Sequence, residues 1–205
     1  NHVLEKDKDY TVSYANNTRT GFAEAVITGI GEFTGTITIP FGIGVAINET
    51  HFPDEIFRTY VKEQFDLTED DILTASELQK VTQIDVSNKD ISDLSGVEFF
   101  FALQSLSCDN NKLTELDTSQ NPELLILHCY ENNLTTLDTS QNSKLEELIC
   151  NNNHLISLRV NQNTALQTLF CYSNYLTALD LSKCTKLINL NCDANIYTFD
   201  LNGTT

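Results

Sequence analysis

From Leu103 onward, apolar and polar positions follow one pattern that restarts every 21 residues. LQSLSCDNNKLTELDTSQNPE, LLILHCYENNLTTLDTSQNSK, LEELICNNNHLISLRVNQNTA and LQTLFCYSNYLTALDLSKCTK stand in register, and a shortened LINLNCDANIYTFDLNGTT follows them. In the first copy Leu106 and Cys108 alternate with Ser105, Ser107 and Asp109, the period-two pattern of a strand with one buried face. Leu113 and Leu116 then turn inward after a bend. A fixed step of this length predicts stacked supersecondary units, none able to bury its apolar edge alone. Leu106, Leu127, Leu148, Leu169 and Leu190 should form one buried column, each fully buried Leu contributing about 1.5–3 kcal/mol.

Two further columns run in step. Asn111, Asn132, Asn153, Asn174 and Asn195 fall where the backbone must turn inside the stack, and a buried amide side chain can pair the N–H and C=O groups left there. Cys108, Cys129, Cys150, Cys171 and Cys192 form a ladder. Stacked parallel strands hold Cβ atoms about 4.8 Å apart, beyond the roughly 3.5–4.5 Å of a disulfide, so these thiols are expected reduced and inert. One thiol per coil makes a row instead of a zinc tetrahedron. Cys184 is off the ladder, at the position of Asn121, Asn142 and Asn163.

Upstream the period changes. Val81 to Ala102 is a longer first coil whose Val81, Ile84, Val86, Ile91 and Leu94 fit the repeat, with Lys89 at the Asn position; Phe99, Phe100 and Phe101 are expected on the convex side. Phe52, Ile56, Phe57, Tyr60, Val61 and Phe65 recur at helical steps, with Pro53 and Asp54 suiting a first turn. A second helix is expected from about Thr74 to Lys80. Between them, Asp66, Thr68, Asp70 and Glu77 overlay the first, third, fifth and twelfth positions of an EF-hand loop; Thr68 for a carboxylate and Asp71 for the glycine argue for a fold relic without metal. Tyr10–Tyr14, Gly21–Ile30 and Gly35–Ile43 alternate between Asn- and Gly-rich turns and read as three strands.

The unit L-x-x-L-x-C-x-x-N-x-L-x-x-L resembles the leucine-rich repeat family, in the short bacterial form of internalin-like surface proteins. That resemblance implies an α/β horseshoe solenoid, mostly β and loop, with a parallel sheet on its concave face over residues 81–205 and a helical cap over 46–80. DYTVSYANNTRTGFAEAVITGIGEFTGT resembles the terminal half of Ig-like modules in Gram-positive surface proteins, which implies a partial Ig-like module over 1–45 and a parent protein that begins earlier.

Charge narrows the partners. The net charge is −17, and residues 46–102 hold 13 acidic against 4 basic groups, so the chain has no electrostatic footprint for nucleic acid. No apolar run is long enough to span a bilayer, and no cofactor motif is present. Strand alternation places His128, Tyr130, Ile149, Phe170 and Tyr172 together on the concave sheet, ringed by Ser107, Asp109, Glu147, Asn151 and Asp193. An aromatic cluster with a polar rim has the composition of an interaction hot spot; the same side chains could instead cover one another across the strands. Of the histidines, His2, His51 and His154 fall in a terminus, a joint and a bend, and His128 has no nucleophile aimed at it. The expectation is a monomeric, non-enzymatic, extracellular or cell-wall module of a Gram-positive bacterium that binds a protein or glycan, possible adhesion being implied by the resemblance alone. A spacer or targeting arm of a larger secreted enzyme is the alternative.

Overall fold

The computed structural model describes residues 3–15, 18 and 20–195; His2 and the tail of the final repeat, 196–205, lie outside them. Strands β1 (Tyr10–Ala15), β2 (Gly21–Gly29) and β3 (Thr36–Ile43) form an antiparallel meander in that order. Val12, Ile27 and Ile37 stand opposite one another, as do Tyr14, Ala25 and Ile39. Among the described residues the three expected strands pair only with one another.

The cap follows. β4 (Val45–Ala46) pairs with β5 (Ile72–Leu73), and between them lies helix α1 (Glu55–Phe65). Asp54 is the N-cap of α1, its carboxylate accepting from Ile56 N and Phe57 N at 2.9 and 3.1 Å, so Pro53 and Asp54 precede the helix instead of forming its first turn. The second helix is a single turn, α2 (Ala75–Leu78), closed by a capping box between Thr74 and Glu77. Phe52 sits at the junction with ring centroids 5.9, 5.7 and 6.4 Å from Phe57, Phe99 and Phe100. Phe100 is therefore core, fully buried, while Phe99 and Phe101 pack part-buried beside it. That aromatic plug shields the open edge of the first coil, as a solenoid end requires.

The coils then stack. β6 (Gln83–Asp85), β7 (Ser105–Ser107), β8 (Ile126–His128), β10 (Glu147–Ile149), β12 (Thr168–Phe170) and β13 (Asn189–Asn191) form a six-stranded parallel sheet in spatial order. A second parallel pair, β9 (Thr136–Asp138) and β11 (Ser157–Arg159), lies further along the coil and was not expected. Leu106, Leu127, Leu148 and Leu169 are fully buried as the column requires. Leu190 is 37% exposed, because the last described coil has a stacked neighbour on one side only. Leu116 is half-buried.

The Asn column does what the turns demand. Asn153 Nδ2 donates to Cys129 O of the preceding coil at 2.9 Å and to Cys150 O of its own coil at 3.2 Å, while its Oδ1 accepts from Leu134 N at 3.0 Å. Asn111, Asn132, Asn174 and Asn195 repeat this bridge. At Lys89 no amide is available, and Asn111 of the next coil serves Lys89 N and Ile91 N directly. The turn also places Asn88, Asn110, Glu131, Asn152, Ser173 and Ala194 at φ between 50° and 58°, a left-handed geometry that Asn tolerates best.

Candidate binding surface

Each strand of the large sheet is only three residues long, and the middle residue points inward. Its neighbours therefore point outward, and parallel register brings them side by side: Ile149 stands between His128 and Phe170, and Glu147 between Ile126 and Thr168. Neighbouring strands lie about 4.8 Å apart, and all of these side chains are half-buried. Tyr130 and Tyr172 continue the same rows just past the strand ends and are also half-buried.

Two of the expected rim residues are placed differently. Asp109 and Asn151 are 5% and 4% exposed, so neither stands as an open polar rim. Both fall beyond their three-residue strands, where strict alternation no longer holds and the chain is already turning into the stack. Asp109 is held by Ser87 Oγ at 2.7 Å and Asn110 Nδ2 at 3.0 Å. Burial, and a hydrogen bond to Asp109, push the Tyr130 phenol above its ordinary range. Ser107 is half-buried, and Asp193 is exposed as expected.

His128 and Glu147 are also closer than their separate places in patch and rim suggested. His128 Nε2 lies 2.6 Å from Glu147 Oε1, with both side chains partly exposed. The pair faces the sheet surface, whereas the thiols of Cys108, Cys129 and Cys150 beneath it are buried on the opposite side. Burial raises all three, Cys129 to about 12, so little nucleophilic thiolate exists near neutral pH.

The EF-hand overlay is folded, but its carboxylates serve the loop itself. Asp66 accepts from Asp70 N and Asp71 N at 3.3 and 3.0 Å, and Asp70 from Ile72 N at 3.0 Å. Glu77 accepts from Leu67 N at 2.9 Å and from Thr74 N and Oγ1 at 2.8 Å each, with Thr68 Oγ1 at 3.4 Å. Asp71 takes φ 61° where the glycine would be and pairs with Lys62. Among the described residues no group of three or more His, Cys, Asp or Glu is arranged to hold a metal ion.

A parallel sheet lining one side of a stack of short coils, with Asn and Leu columns inside it, defines a leucine-rich repeat protein. The chain's fold and part of its sequence are similar to those of bacterial internalins. It is 38% identical over 70 residues to internalin J of Listeria monocytogenes, a match covering 34% of this chain and 8% of that protein. An internalin (inlF) of the same organism superposes with a TM-score of 0.61 at 23% identity, over 78% of this chain and 48% of that one. A leucine-rich repeat protein of Leptospira interrogans gives 0.55 at 21% identity, over 60% of this chain and 34% of that one. The chain thus spans less than half the length of these relatives. No family model matches it.

Proposed function

We propose that the concave sheet is a non-covalent binding surface for a protein or glycan partner, carried outside a bacterial cell and used without catalysis. The observation that carries this reading is the in-register row His128–Ile149–Phe170, flanked by Tyr130 and Tyr172. It sets aromatic and aliphatic side chains in a continuous outward patch where a solenoid offers its largest curved area. Internalin kinship supports an exterior, surface-associated setting, adhesion included, and a monomer that meets its ligand singly. The partial Ig-like character of the meander belongs to the same proposal, as do the divisions 1–45, 46–80 and 81–205. Among the described residues no helix is long and apolar enough to cross a membrane.

The half-burial of the patch favours a second reading, in which the aromatics cover one another and the chain is a spacer or targeting arm. A Phe170→Ala, Tyr172→Ala double variant separates the two. Capture of an identified partner, or of a glycan on an array, should fall at least about tenfold with the binding surface lost. Full capture by the double variant would leave the sheet a structural element.

A further inference from the structure

The outward positions of the six strands and the residue two beyond each carry charges of one sign. At the cap end stands Asp85, exposed, with Asp109 buried behind it on the next coil; at the far end stands Asp193, and in the middle Glu147. None of these positions is Lys or Arg, and the only basic side chain among them is His128, already against Glu147 at 2.6 Å. Lys89 lies 5.7 Å over the Tyr60 ring in a cleft that Asp85 also lines, at the edge where the sheet meets the cap, and Lys112 pairs with Asp90 at 3.0 Å. Between the acidic ends lie Tyr130, Ile149, Phe170 and Tyr172. The surface is therefore apolar at its centre and anionic at both ends.

Resting on the binding reading above, we infer that this face takes an extended cationic segment of a protein, with Lys or Arg near each end and an apolar or aromatic residue between. Charge complementarity carries the choice of occupant. An anionic or sulfated glycan meets repulsion from the exposed Asp85 and Asp193, and a neutral glycan leaves those carboxylates unused. Five inter-strand gaps of about 4.8 Å give a span of about 24 Å, which an extended peptide of about seven residues crosses. One basic group then lies near Asp85, another near Asp193, and the central residue rests against Phe170 and Tyr172.

The experiment uses the full chain and three probes: a labelled peptide Arg-Arg-Leu-Tyr-Leu-Arg-Arg, the same peptide with Glu for every Arg, and a neutral chito-oligosaccharide. Fluorescence anisotropy for the peptides and calorimetry for the sugar should show binding of the basic peptide alone. Its Kd should rise about tenfold between about 0.05 and about 0.5 M salt. An Asp85→Asn, Asp193→Asn double variant should weaken it several-fold with an unchanged urea midpoint, since both side chains are exposed. Phe170→Ala, Tyr172→Ala should weaken it as well. Failure of the basic peptide to bind, equal binding of the acidic peptide, absence of a salt effect, or indifference to the Asp variant overturns the cationic occupant. If the sugar binds instead and the aromatic variant abolishes that, the face remains a binding surface with a different ligand. If the aromatic variant changes nothing for any probe that binds, the binding reading fails too.

Discussion

Val97 occupies the place that Thr118 and Thr139 hold one and two coils further on, and Asn121 bears the consequence. Thr118 Oγ1 donates to Asn142 Oδ1 at 2.9 Å, and Thr139 Oγ1 to Asn163 Oδ1 at 2.8 Å. Valine has no hydroxyl, and Asn121 Oδ1 is a buried acceptor without a hydrogen-bond partner. Its amide nitrogen still bonds Val97 O and Phe100 O at 2.9 and 3.0 Å, so only half of the side chain is satisfied. In the fourth coil both members change together: Val160 meets Cys184, whose Sγ lies 3.4 Å from Val160 O and brings no orphan acceptor. Val97→Thr should therefore stabilise the protein by about 1 kcal/mol, read as a higher urea midpoint at unchanged slope. A midpoint at or below the parent's would mean that the hydroxyl cannot reach. Asn153→Ala works in the opposite direction. It orphans the Leu134 N–H and the carbonyls of two coils, and should cost about 1–3 kcal/mol in the same melt. The first Asn column was legible from spacing because it repeats at the period of the chain. The Thr–Asn coupling was not, because its partners sit one coil plus three residues apart and no periodic reading pairs them.

One carboxylate ties the cap to the solenoid and another closes the cap's own loop, which gives its stability a pH dependence. Asp54 Oδ2 accepts from Ser92 N and Oγ at 2.9 and 3.1 Å, joining the start of α1 to the first coil. Burial pushes the Asp54 carboxyl up, but the bonds from Ser92, Phe57 and Ile56 together outweigh it and leave the group below its usual 3.8. Glu77 behaves alike: burial raises it, and Thr74, Leu67 and Thr68 hold it below 4.5. A carboxyl depressed in the folded state contributes stability above its unfolded value and loses it as pH falls through the folded value. The urea midpoint should therefore be flat near neutrality and fall below about pH 4.5. Glu77→Gln should be less stable at neutral pH and show a shallower acid slope; an acid slope identical to the parent's would remove Glu77 from the linkage. Gly96 secures the same junction sterically, since its φ is 108° and an added Cβ would lie 2.2 Å from Phe52 Cδ1. The helix of the cap was legible from its three- and four-residue steps. Its first residue was not, because an aspartate suits both an N-cap and a first turn, and only the bonds from Ile56 N and Phe57 N show which role Asp54 takes. The loop overlay was likewise visible as spacing, while the use of its carboxylates depended on the backbone N–H groups that the fold brings to them.

Across the whole molecule, a stack of coils that contact only their neighbours has a stability that varies along its axis. Parity along three-residue strands was enough to sort inward from outward, which is why the Leu and Cys columns and the row His128–Ile149–Phe170 were readable in advance. Just past the strand ends parity still held for the Cys column and for Tyr130 and Tyr172, but it failed at Asp109 and Asn151, which turn in. The thiols provide a site-by-site measure of the axis. Cys108, Cys129 and Cys150 are fully buried between coils on both sides, and burial raises each of them, Cys129 to about 12. Cys192 sits in the last described coil, part-exposed, and burial raises it as well. At pH 8 an alkylating reagent followed by peptide mass spectrometry should modify Cys192 first, by local opening of that coil alone. Cys129 and Cys150 should be modified only at the rate of global unfolding, so a mild urea concentration that does not shift the melt should speed Cys192 and leave those two unchanged. In the unfolded chain all six thiols should react, since the ladder geometry forbids disulfides between neighbours. Modification of Cys129 as fast as Cys192 in the native protein would mean that the stack opens as one body, or that the sulfurs do not line its interior.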